Sequence, residues 1–159
     1  MENYKEEARE IIANNIYMVI ATASPSGEPW ISPVFFAYDD EYNLYWTSDK
    51  NSQHSNLIRK NSKVAIVVFD SRAPEGEGDG VYFEAQAVEL NGAQEVERAM
   101  PILAARVMKD ELRIKKIEDV TKNRAWRIYK ATPQKISKLK EGEYVNGQYV
   151  DRRIEIDLK

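Results

Sequence analysis

The sequence predicts an α+β fold in which a small antiparallel β-barrel carries a few inserted helices. Three observations lead there. Short β-branched and aromatic runs recur along the chain, separated by turns rich in Ser, Pro, Gly and Asp. Only a few segments show the three- and four-residue spacing of a helix. The length of 159 residues, with 43% hydrophobic and 31% charged side chains, suits one ordinary globular domain and is far from a disordered composition.

Tyr4, Ala8, Ile11 and Ile12 share one stripe among charged neighbours, so the first fifteen or so residues read as an amphipathic helix. Ile16 to Thr22 is short and β-branched, hence a strand, and Ser24 to Gly27 form the turn after it. Trp30 to Tyr38 predicts an aromatic strand ending in the acidic turn Asp39 to Glu41; beyond it Tyr42, Leu44 and Trp46 alternate with Asn43, Tyr45 and Thr47. Ser52 is a plausible N-cap for a short helix reaching Asn61. The run from Val64 to Phe69 lacks alternation, which predicts a strand covered on both faces in a closed or dimerised sheet.

Ser71 to Gly80, with three glycines and three acids, predicts a mobile loop, followed by a long strand from Val81 to Leu90. Gln94 to Met108 keeps helical spacing, and Pro101 in its interior should kink or split it. A second helical stretch is expected over Asp110 to Val120. Ala125 to Ala131, Lys135 to Leu139 and Tyr149 to Leu158 read as further extended segments.

Composition excludes several chemistries. Without cysteine there is no disulfide, thiolate nucleophile or cysteine-ligated metal, and with His54 as the sole histidine no site needing two imidazoles can be built within one chain. No metal site is expected. A net charge of -3, from 23 basic and 26 acidic residues, disfavours nucleic acid as a partner. No apolar run approaches the roughly 20 residues of a membrane-spanning helix, so the expected setting is cytoplasmic with no membrane partner. The EGEGDG cluster lacks the spacing of a phosphate loop, and no serine sits in a nucleophile elbow.

The segment YWTSDKNSQHSNLIRKN, from Tyr45 to Asn61, joins a strand end, a polar turn and a helix start. A helix N-terminus offers unpaired N–H groups and the positive end of the dipole, so Thr47, Ser52 and His54 could hold a phosphate there. The plain alternative is a capped surface helix with His54 in solvent.

The ordered series WISPVFFAYDDEYNLYWTSDKNSQHSNLIRKNSKVAIVVFD and then VYFEAQAVEL resembles the pyridoxamine 5'-phosphate oxidase-related, FMN-binding split-barrel superfamily. Ser52-x-His54-x-x-Leu57-Ile58-x-x-Asn61-x-x-Val64 is similar to the family's pattern at the cofactor phosphate, and Trp126-Arg127-Ile128-Tyr129 and Val150-Asp151-Arg152-Arg153 resemble its closing strands. The likeness covers roughly residues 10 to 157. It implies an α+β antiparallel split β-barrel with flanking helices, a single domain over residues 1–159, and a homodimer with FMN in a groove between protomers. By the same likeness Trp46, Thr47, Ser52 and His54 would hold the phosphate and ribityl chain, and Ser32, Pro33 and Val34 would line the ring.

The sequence departs from the family where Leu57 replaces the usual Asn and Ser62 the usual Pro. The helix around Pro101 lacks the Tyr-x-x-x-Arg-x-x-x-Ser series that grips substrate phosphate, and Asp151 precedes Arg152 and Arg153 where the oxidases carry a His beside the Arg. The departures imply a substrate other than pyridoxamine phosphate. The expected function is an FMN-dependent oxidoreductase passing hydride or electrons between a reduced nicotinamide or similar donor and a small-molecule acceptor, with no catalytic residue singled out. The alternatives are a non-catalytic protein binding flavin, deazaflavin (F420) or haem, and a cofactor-free dimeric interaction domain. The aromatic load of Trp30, Phe35, Phe36, Tyr38, Tyr42 and Trp46 also favours a dimer, because one small barrel has little room to hide it.

Overall fold

The amphipathic stripe at the N-terminus becomes helix α1 (Glu2–Asn14), with Ala8 and Ile12 fully buried and Tyr4 and Ile11 packed against the same core. The computed structural model describes residues 2–121 and 124–159. After α1 come β1 (Tyr17–Ala23), β2 (Pro29–Phe35), β3 (Ala37–Tyr38), β4 (Leu44–Asp49), α2 (Gln53–Lys60), β5 (Lys63–Phe69), β6 (Gly80–Glu89), α3 (Ala93–Arg106), β7 (Trp126–Val145) and β8 (Gln148–Glu155). The strands form one antiparallel sheet in the order β2-β1-β5-β6-β7-β4-β3, with β8 also paired to β7.

β2 and β3 stand at opposite ends of this sheet although only Phe36 separates them in the chain. One short run of backbone therefore edges both ends, which requires the sheet to curl into a half-barrel. The single strand expected from Trp30 to Tyr38 is broken at Phe36, whose side chain is fully buried and whose N–H is donated to the Ile16 carbonyl at 3.2 Å.

β5 alternates, with Val64, Ile66 and Val68 buried and Ala65 and Phe69 exposed, so a single chain covers only one of its faces. β4 is the strand covered on both faces within one chain. Leu44 and Trp46 face the main core inside the curl, whereas Tyr45 joins Val96, Leu103 and Ile128 in a second core beneath α3. Sequence alternation could not show this, because Tyr45 is amphipathic and its hydroxyl donates to Asp39 at 2.9 Å.

Three further expectations are corrected. Of the two outcomes expected at Pro101 the split does not occur: α3 is one helix through it, and the Glu97 carbonyl, which the proline cannot pair, lies on the exposed face. The stretch from Asp110 to Val120 holds two short 3-10 turns, Asp110–Leu112 and Ile117–Val120, instead of a helix. Residues 126 to 145 are one strand: its first part pairs with β4, its later part with β8, and a register shift against β6 at Glu84/Ala85 absorbs Pro133.

Candidate functional site

Ser52 caps α2 as its sequence position predicts, with extended backbone dihedrals and its Oγ accepting from the Ser55 N–H at 3.4 Å. The first turn of α2 has no acid, and among the described residues the N–H groups of Gln53 and His54 have no protein acceptor. Beyond the turn at Asp49, α2 packs against β6, β1 and β2. His54 is consequently only 9% exposed, and the surface-helix alternative is set aside.

The imidazole sits among hydroxyls. Its Nδ1 lies 3.1 Å from Ser32 Oγ, and its Nε2 lies 2.8 Å from Ser48 Oγ and 3.2 Å from Ser52 Oγ. Burial holds its pKa below the ordinary value of 6.5, and among the described residues no carboxylate hydrogen-bonds the ring to oppose that. His54 is therefore neutral near pH 7.

His54, Thr47, Ser48, Pro33 and Val34 open onto a groove of about 820 Å³, within the range of small-molecule and cofactor sites. One wall is β2, β4 and the start of α2. The other is the segment from Val107 to Val120, with Ile16, Tyr17 and Trp126 at its margins. Arg106 fixes where that second wall begins. Its Nη2 donates to the carbonyls of Ile12, Ala13 and Asn15 at 3.4, 3.1 and 2.8 Å, and its guanidinium lies over the rings of Phe36 and Tyr38.

The residues expected at the site divide into three groups. Pro33, Val34, Thr47 and His54 line the groove, while Ser32 and Ser52 reach it through their bonds to His54. Trp46 stands apart. It is fully buried in the core, stacked on Tyr129 at 5.5 Å, and supports β4 from behind the groove. Sequence reasoning missed Ser48, although its place directly after Thr47 in the same polar strand end was a usable signal. It also missed Tyr17, Lys109, Leu112, Arg113 and Trp126, for which the sequence carries no local signature.

The donor set fits a phosphate ester: hydroxyls, an imidazole and free helix N–H groups at one end, with Lys109 and Arg113 across the groove. Pro33, Val34, Tyr17, Leu112 and Trp126 offer apolar surface suited to a planar ring. Among the described residues no group of three or more His, Cys, Asp or Glu is placed to hold a metal ion, and no helix is long and apolar enough to cross a membrane.

Comparison with known proteins agrees with this architecture. No curated protein matches the sequence. Among solved structures, the Agrobacterium tumefaciens protein Atu2129 superposes with a TM-score of 0.69 at 14% identity over 94% of this chain, which spans 58% of that protein. A haem-binding protein from Mycobacterium smegmatis gives 0.67 at 16% identity, covering 94% of this chain and 57% of its own. An FAD-binding protein from Mesorhizobium loti gives 0.60 at 18% identity, covering 84% and 91%. At these identities the likeness establishes the split-barrel fold. The sequence profile of the pyridoxamine 5'-phosphate oxidase family matches residues 4–140, most of the sheet and every groove-lining element, and the chain belongs to that family.

Proposed function

We propose that the chain binds FMN in this groove and works as a flavin-dependent oxidoreductase on a small acceptor. The observation that carries this reading is the pairing of a polar, acid-free helix start at His54 with an apolar wall across the same groove. A bound flavin would supply the redox chemistry; Thr47, Ser48 and the start of α2 would hold its phosphate, and Pro33 and Val34 would keep water from the ring. The haem-binding relative raises haem as the competitor. Here both nitrogens of the only histidine are engaged by serine hydroxyls, so using His54 as an axial ligand would break at least one of those bonds, and flavin is favoured.

The proposal includes a homodimer that completes the groove. Trp30, Ile31 and Phe69 are 47, 66 and 41% exposed, and an obligate interface of about 2,000 Å² or more would cover apolar surface of this kind. The decisive experiment is the absorbance and mass of the ligand released from purified protein, followed by FMN titration and assay with NADH or NADPH. Flavin release or FMN uptake with turnover is the expected result. A Soret band, or a colourless protein indifferent to FMN, overturns it, and a monomer mass in light scattering removes the shared groove.

A further inference from the structure

The hydrogen bonds around His54 continue beyond the groove into α2. Ser52 Oγ donates to Ser55 Oγ at 2.8 Å, so toward the ring it can only accept. A proton on Nε2 would serve both Ser52 Oγ and Ser48 Oγ, whereas a bare Nε2 would face a Ser52 hydroxyl with no hydrogen to give it. With Nε2 protonated in a neutral ring, Ser32 Oγ donates to Nδ1 while accepting from Trp30 Nε1 at 3.1 Å.

Read from Trp30 through Ser32, His54 and Ser52 to Ser55, every donor thus points the same way, and such chains strengthen cooperatively.

We propose that this one-way chain locks His54 as the Nε2–H tautomer, making its Nδ1 lone pair the proton acceptor when an anionic ligand enters the groove. Ser52 and Ser55 are then positioning residues for His54. The proton comes from solvent and forms one new bond, N–H at Nδ1; the Ser32 hydroxyl turns from donor to acceptor and frees its hydrogen for the ligand. The charged groups around the ring are Asp49 on β4 and Lys109, Glu111, Arg113 and Asp119 on the facing wall. The ligand's identity as FMN rests on the function proposed above; the tautomer lock does not.

Because His54 is the only histidine, its ring nitrogens give the only imidazole signals in long-range ¹H–¹⁵N correlation spectra. Uniformly labelled, ligand-free protein at neutral pH should show the neutral Nε2–H pattern. Ser52→Ala and Ser55→Ala should each shift the signals toward a tautomer mixture. A wild-type Nδ1–H tautomer, or an unchanged pattern in both variants, overturns the proposal. Adding FMN should move wild-type signals to the imidazolium pattern; binding without that change overturns the acceptor role. If FMN fails to bind while the variants behave as expected, the flavin reading falls and the tautomer lock stands.

Discussion

The two walls of the groove are built on opposite principles. On the β2–β4–α2 side, Ser32, Ser48, Ser52 and His54 are joined by hydrogen bonds, and His54 and Ser48 are buried. On the facing side, from Val107 to Val120, regular structure is reduced to two short 3-10 turns, and Met108 and Leu112 are 79 and 68% exposed. The first wall can impose geometry on a ligand because moving any donor breaks a bond elsewhere. The second is hydrogen-bonded mainly within itself and between exposed groups, as in Arg113 to Val107 and Lys115 to Asp110, so it can shift with less disturbance to the sheet. Under the proposed function, the first wall would set the fit to an anionic end and the second would tolerate variation in the acceptor.

The sharpest way to break this contrast is to remove the support behind the ordered wall. Trp46→Ala deletes a fully buried indole stacked on Tyr129 and should cost about 3–5 kcal/mol in urea unfolding. A loss below about 1 kcal/mol would mean that this wall is not the rigid one.

His54→Ala should weaken FMN binding tenfold to a hundredfold, about 1.5–3 kcal/mol, through loss of a charge-assisted hydrogen bond. It also leaves the hydroxyls of Ser32 and Ser48 without their partner, so a smaller drop in stability accompanies it. Equal dissociation constants in wild type and variant would move the phosphate to Lys109 and Arg113 on the other wall.

Acid should act on the ordered wall through the same residue. The folded His54 binds its proton at lower pH than the unfolded chain does, because burial lowers its pKa from 6.5. Between those two values the unfolded state holds more protons, so stability is full above 6.5 and is lost as pH falls through the folded value. His54→Gln should remove this component, visible in urea midpoints compared at about pH 7.5 and about pH 5. A wild type that gains stability over that descent relative to the variant contradicts a buried neutral ring.

The smallest effect is expected on the adaptable wall. Leu112→Ser should leave folding stability within about 0.5 kcal/mol while reducing FMN affinity by less than about tenfold, the loss of part of one apolar contact. A large destabilisation would show that this segment is packed as firmly as the wall it faces.

Much of the fold was legible because its signals are local. Ser52 as N-cap, the α1 stripe and the turn at Asp39 depend on residues a few positions apart, and all three form as read. Pro101 read as a kink or a split, yet α3 is not split there, because the carbonyl left unpaired lies on the solvent face of the helix. The β7–β8 hairpin carried an unused signal: Asn146 and Gly147 both take positive φ, 51° and 79°, as a tight two-residue turn requires.

Local signals were enough for most of the element order, for the absence of cysteine and multi-histidine chemistry, and for the polar helix start at one end of the groove. Long-range packing was needed to bury His54, to cover the second face of β4 beneath α3, and to bring the 107–120 segment across the groove. The reason is distance along the chain. A cap is satisfied within three residues, whereas the ring of His54 meets Ser32 across 22 residues. A contact of that separation exists only once the curled sheet has brought β2 and β4 to one helix end.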